Sequence, residues 1–271
     1  MSRKKVPTGD GERDGRAIVT SKTVRRAVAP TEGGGTDLAP PGAVAGVPAV
    51  IRDGGTTLIQ GRPYVAGGRL IADASAYRVD GMKGVELGEA DKIAWLDHAT
   101  GYECIILRSA QGGHLGGYVG IPPEHPLYGF PTGAIPAELG IEVHGGISYA
   151  AACEEGPESK RQVRIEARRI CHVEYRTVPT KYASDYRVEH RHAWWLGFEC
   201  DRAYDLQPDR RGPAAGFLAS EIGQVYRDEG YVHDQVLDLA AQLRAIADGL
   251  PRPERIGAPP PPRGLDPAEN G

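Results

Sequence analysis

The chain has 271 residues, a formal charge of −4 and 25% charged side chains. It contains no run approaching about 18 apolar residues, so composition excludes a membrane-spanning helix. The charge is uneven: residues 1–26 carry eight Lys/Arg against Asp10, Glu12 and Asp14, which makes that segment +5 and leaves −9 on the rest, so the body is no nucleic-acid platform.

Residues 1–46 are rich in Gly, Pro and charge and poor in aromatic side chains. Such a segment buries too little apolar surface to offset chain entropy, and a disordered basic arm is predicted. Nucleic acid is at most a transient contact of that arm. Arg25 and Arg26 lead into alanine, proline and glycine, not the apolar core of an export signal, so a cytoplasmic protein is expected. Cys104, Cys153, Cys171 and Cys200 show no CxxC spacing and would then be reduced thiols.

A single domain is predicted over 47–249. Its first part, 47–100, alternates short apolar runs with glycine pairs and reads as an irregular β-rich subregion. Residues 102–109 and 114–121 flank Gly112 and Gly113, the pattern of a hairpin. Pro122, Pro123 and Pro126 then force a stiff loop around His125 and Tyr128. Residues 141–144 read as a strand ending at Gly145 and Gly146. In 163–168, Val163, Ile165 and Ala167 alternate with charged residues, a period of two that predicts a half-exposed strand. A stronger strand is predicted over 190–200.

Val232, Val236, Leu239 and Leu243 recur at spacings that share one helical face, which predicts an amphipathic helix over 228–248. Asp228 can cap its start, and Gly249 with Pro251 stops it. Residues 250–271 read as a disordered proline-rich tail. Strands in the middle and one long helix near the end give an α+β class, with a central, mostly antiparallel sheet, a long C-terminal amphipathic helix and disordered termini.

The candidate chemistry centres on His144. In strand geometry Glu142 would share its face, a carboxylate able to orient an imidazole. Gly145 and Gly146 would let backbone amides approach a ligand. Ser148 follows too closely, with too short a following segment, to form a nucleophile elbow. A metal site built from Cys171, His172, His190 and His192 lacks a carboxylate at ligand spacing, and no metal is expected. Trp194 and Trp195 point to opposite sheet faces, so one is structural while the other lines a pocket or interface. Asp205 belongs to an acidic run with Glu199, Asp201 and Asp209. No phosphate loop, dinucleotide fingerprint, HExxH or EF-hand loop occurs, so no cofactor is implied.

Five ordered segments carry a resemblance: Gly117 to Gly120, His125 to Gly129, His144 to Tyr149, Trp194 to Cys200 with Asp205, and Tyr226 to Val232. Together they resemble a family of functionally uncharacterised proteins associated with phage and prophage genomes. The resemblance spans roughly 102–247. It implies a phage context, but no reaction. One departure is visible: the family pattern has Asp-Cys-x-His after Gly197 and Phe198, whereas this chain has Glu199, Cys200, Asp201 and Arg202, and a guanidinium cannot replace a histidine as proton shuttle.

The expectation is a polar small-ligand site, hydrolytic on a nucleotide or other phosphate-bearing metabolite. Its catalytic residues would be His144, Glu142, His125 and Asp205. Gly145, Gly146, Tyr128, Tyr149, Trp194 and Trp195 would bind ligand. The alternative is a non-catalytic module that binds a host or phage protein through an indole and the helix.

Overall fold

Runs of short apolar residues broken by glycine turns have a simple outcome when each run can pair with the next: a meander. The computed structural model describes residues 50–153, 163–171, 193–209 and 223–261, and the backbone alone of 176–179 and 186–189. All belong to one unit, residues 46–271. Six strands pair antiparallel in chain order: β1 (Val50–Asp53), β2 (Thr56–Ala66), β3 (Arg69–Val79), β4 (Lys92–Asp97), β5 (Tyr102–Arg108) and β6 (Leu115–Ile121). The sheet then continues through β10 (Trp194–Glu199) to β7 (Tyr149–Ala152), eight strands in all. The short pair β8 (Arg176–Pro179) and β9 (Tyr186–Glu189) stands apart from it.

The expected hairpin over 102–121 is β5 and β6. Its turn closes by a hydrogen bond from Ser109 N to His114 O, with Gly113 at φ 69. The strand expected over 190–200 is β10, within the described residues.

Helix α3 (Glu229–Asp248) crosses one face of β5 and β6. Val232, Val236, Leu239 and Leu243, the four residues of the sequence stripe, are all fully buried there. Each such side chain contributes roughly 1.5–3 kcal/mol relative to exposure. Gly117 of β6 is what lets the helix come this close: a Cβ there would lie 2.5 Å from Val236 Cγ2 and 2.6 Å from Phe198 Cζ. The opposite face buries Ile105, Tyr118 and Trp195. It is covered partly by a short segment around α2 (Val163–Glu166). A five-residue helix, α1 (Lys83–Leu87), follows β3.

Two local expectations are corrected. Residues 163–166 are helical rather than a strand. Residues 141–144 form no ladder; instead Glu142 N donates to Gln242 Oε1 at 2.8 Å and Gln242 Nε2 donates to Glu142 O at 2.9 Å, so a side-chain amide of α3 takes the place of a neighbouring strand. The first part of the proline-rich tail, residues 250–261, runs against the same helix. There Ile256 N donates to Asp238 Oδ1 at 2.6 Å, and Arg255 pairs with Asp238 at 2.9 Å.

The start of α3 is fastened to the early strands. Asp228 accepts from Tyr231 N at 2.8 Å as the N-cap. Glu229, 2% exposed, accepts from Tyr64 Oη at 2.8 Å and from Ala90 N at 2.6 Å. Burial raises its carboxyl from 4.5 to about 7, against the lowering effect of those hydrogen bonds. Because the folded value lies above the unfolded one, the folded state holds a proton that the unfolded chain releases. The stabilisation is therefore complete below pH 4.5 and is lost as the pH rises through about 7. In denaturant titrations from pH 4 to 8, Glu229→Gln should remove a pH-dependent component of at most about 3 kcal/mol. Equal pH slopes for the two proteins would exclude this assignment.

Candidate functional site

His144 and Asp205 do converge, although 61 residues separate them. The imidazole Nε2 lies 2.7 Å from Asp205 Oδ2, and Nδ1 lies 2.9 Å from Tyr231 Oη. Asp205 also accepts from Arg227 Nε at 2.9 Å and from Arg202 N at 3.1 Å. His144 is 0% and Asp205 1% exposed, and the rings of Phe198, Tyr204 and Tyr231 surround the imidazole. This is a closed, satisfied polar network beneath the first turn of α3, with every strong acceptor of Asp205 already engaged.

The other expected catalytic residues stand elsewhere. Glu142 does not orient His144; it points outward and pairs with Arg252 at 2.6 Å and Arg255 at 3.3 Å, contacts that lower its carboxyl. The reason is the missing strand: without a pleat, residues 142 and 144 share no face. His125 is buried with both ring nitrogens used, Nε2 against Leu243 O at 2.8 Å and Nδ1 accepting from Leu127 N at 3.0 Å. Burial lowers its pKa. It fastens the proline-rich loop to α3 and has no free nitrogen.

Gly145 and Gly146 have the positive φ values, 60 and 80, that their turn requires. The space over Gly145 is filled by Arg202, whose Nη2 donates to Gly145 O at 2.7 Å. Arg202 thus closes the position assigned to a ligand. Trp195 is wholly buried, while Trp194 is half-buried, donates from Nε1 to Phe130 O at 3.1 Å and packs on Tyr128. Tyr149 packs edge-on against Tyr118.

An open cleft lies on the opposite face of the sheet, with a volume of about 560 Å³. Its floor is built by the ends of β5, β6 and β10 and its second wall by the segment after α2. Glu199, the last residue of β10, pairs in register with Gly116 of β6. Period two then sets His114 and Tyr118 beside it. Tyr118 Oη donates to Glu199 Oε1, and His114 Nε2 lies 3.2 Å from Glu199 Oε2. A Cβ on Gly116 would fall 2.6 Å from Tyr118 Oη and 2.7 Å from Glu199 Oε2, so only glycine leaves room for this group.

His114 Nδ1 is buried without a hydrogen-bond partner. A bare acceptor is the cheaper state for such an atom, which leaves the ring proton on Nε2, the nitrogen that faces Glu199. Burial, and then the neighbouring carboxylate, hold the Tyr118 phenol well above its ordinary value, so it remains a donor. Glu199 therefore accepts from the Tyr118 hydroxyl with His114 Nε2 close by, and its side chain remains 27% exposed at the cleft. A carboxylate offers about four lone-pair directions, so at least two remain for a ligand.

Asp201 and the exposed Arg168 also line the cleft, with Met82, Leu107 and Ile170 as its apolar parts. Arg108 adds no free charge. Its guanidinium is fully buried and bonded to Glu89, Tyr226 and Gly113 O. His172, His190 and His192 lie outside the described residues, and among the described residues no group of three His, Cys, Asp or Glu is placed to hold a metal. Nor is any described helix long and apolar enough to cross a membrane.

Sequence reasoning placed His114 at a strand start and Glu199 in an acidic run without joining them. The glycines at 112, 113 and 116 were the available signal, but their meaning depends on the pairing of β6 with β10. No family model matches the chain, and neither a curated protein nor a solved structure does.

Proposed function

We propose that this protein binds a small polar molecule in the cleft beside Glu199, and that this carboxylate is the group that engages it. The observation that carries the reading is a carboxylate held by the Tyr118 hydroxyl beside His114, with its remaining lone pairs at an open cavity. A ligand hydroxyl or ammonium supplies the missing donors. Where the ligand is also a substrate, Glu199 accepts the proton of a water or hydroxyl, the step that hydrolysis needs. Tyr118 and His114 are then positioning residues.

The charges select the ligand class. Glu199 and Asp201 face one cation, Arg168, so the lining favours a cationic or neutral donor group, with an aliphatic part against Met82, Leu107 and Ile170. Those same carboxylates disfavour a nucleotide or phosphate-bearing metabolite. The resemblance to phage- and prophage-associated proteins supports the reading in one respect: the family pattern has aspartate where Glu199 stands, so the carboxylate type is kept. A cytoplasmic setting belongs to the same proposal. The protein-binding alternative has less support, since Trp195 is buried and Trp194 is bonded to Phe130 O.

The test is titration with 1,4-diaminobutane, butane-1,4-diol and inorganic phosphate, followed by NMR. Glu199→Gln should weaken the diamine or diol by about tenfold or more, the loss of one charge-assisted hydrogen bond. Glu199→Asp should retain part of the affinity. Equal binding by wild type and Glu199→Gln would overturn the assignment.

A further inference from the structure

The second wall of the cleft belongs to no strand. Residues 163–171 carry Arg168 and Ile170 to the cavity, and besides the packing of Val163 and Ala167 two different devices hold them there. One is polar: Lys92, 1% exposed, reaches from β4 and donates from Nζ to Glu166 O at 2.7 Å, Arg169 O at 2.8 Å and Cys171 O at 3.0 Å. The other is covalent: Cys171, the residue after Ile170, is bonded to Cys153 with Cα atoms 5.2 Å apart. Cys153 follows β7 and donates from its backbone to Ala193 O at 3.2 Å, so the bond ties the wall to the far edge of the sheet. This corrects the expectation of four reduced thiols.

The remaining cysteines take no part. Cys104 and Cys200 are wholly buried, and burial pushes both thiols well above their ordinary value. Cys153 is only half-buried. A reagent that enters from solvent therefore meets one sulfur first.

We infer that the Cys153–Cys171 bond is a redox latch that sets the order of the cleft wall carrying Arg168 and Ile170. Its relevance to ligand rests on the cleft reading above. The exchange is balanced with a dithiol reductant. One thiolate of the reductant attacks Cys153 Sγ, forming a mixed disulfide, and the electron pair of the S–S bond leaves on Cys171 Sγ, which takes a proton. The second thiol of the reductant attacks its own half of the mixed disulfide and releases Cys153 as a thiolate, which is protonated in turn. The protein gains two electrons and two protons, and the reductant becomes a disulfide. In the reduced form the wall is held by Lys92 and by the packing of Val163 and Ala167 against Leu58 and Tyr77. A reducing cytoplasm, the sequence expectation, leaves the latch open, and oxidation closes it.

The test uses the full chain, oxidised or treated with dithiothreitol without denaturant, and the Cys153→Ser/Cys171→Ser double variant. Mass spectrometry after alkylation should find two added groups in the reduced protein and none in the oxidised protein. Amide exchange across residues 163–171 should speed up by at least about tenfold on reduction and in the double variant, while α3 is unchanged. A bond that resists the dithiol in the folded protein, or exchange that does not respond, overturns the latch. Exchange rising equally throughout α3 also overturns it, since the bond would then be a global staple. A wall that loosens in a protein binding none of the three probes supports the latch and removes the ligand reading instead.

Discussion

Replacing Asp205 with alanine is expected to destabilise the protein by about 3–5 kcal/mol, the range for removing one partner of a buried charged pair. The carboxylate is 1% exposed and accepts from His144, Arg227 and Arg202 N. These donors come from the loop after residue 141, the segment leading into α3 and the turn after β10, of which only the last two share a backbone bridge, Asp205 with Val225. Alanine would leave His144 Nε2 buried without an acceptor and the half-buried Arg227 without its carboxylate, and water could not replace the carboxylate at His144 without entering the closed network. Urea denaturation should show the loss as a lower midpoint with an unchanged slope. His144→Ala should act in the same direction, because it strips Asp205 of a donor and opens a void among Phe198, Tyr204 and Tyr231. Neither change should alter affinity at the Glu199 cleft in the protein that remains folded. A deficit below about 1 kcal/mol for Asp205→Ala would show that the network is not the fastening described here.

What could be read from sequence was what depends on local order. The 102–121 hairpin needed only two apolar runs around a glycine pair. The helix needed only a repeating stripe and two caps, and Asp228 and Gly249 occupy those caps as expected. Residues 163–168 show where a short pattern fails. Val163 and Ala167 are four apart and pack toward Leu58 and Tyr77, while Ile165, between them, is 45% exposed. A six-residue window fits a strand and a helical turn equally well, and tertiary packing decided between them.

The convergence of His144 with Asp205 was anticipated, yet its meaning was not. Polar residues with glycine neighbours suit an open site and a sealed one alike, and only burial separates the two. Glu142 was paired with His144 on the assumption of a pleat that Gln242 replaces. The Glu199 group was out of reach for a different reason. His114, Tyr118 and Glu199 meet only through the register that sets Glu199 against Gly116. That register joins strands separated by more than seventy residues, and no local signal specifies it.

Arg108→Met should cost a further about 3–5 kcal/mol, for the same class of reason but on a different seam. The guanidinium is fully buried and joins four separate places. It pairs with Glu89 at 2.5 Å and with Asp91 at 3.3 Å, and donates to Gly113 O at 2.8 Å and Tyr226 Oη at 2.9 Å. Methionine fills much of the volume but supplies no donor, leaving two carboxylates beneath the sheet. Burial already raises the Asp91 carboxyl, while hydrogen bonds from Val79 N and the charge of Arg108 oppose the rise. Removing Arg108 lets that pKa climb further. Since a raised carboxyl is stabilising below its unfolded value and loses that contribution as the pH rises, the deficit of Arg108→Met should shrink as the pH falls toward 4 and be full at neutrality. Arg108→Lys keeps the charge but not the fork, and should recover part of the loss. Because Gly113 and the β5–β6 turn also bear on His114, Arg108→Met should weaken diamine or diol binding at the cleft, whereas Asp205→Ala should not. A pH-independent deficit would show that Asp91 does not sense the guanidinium, and an unchanged affinity would show that the turn holds its shape without it.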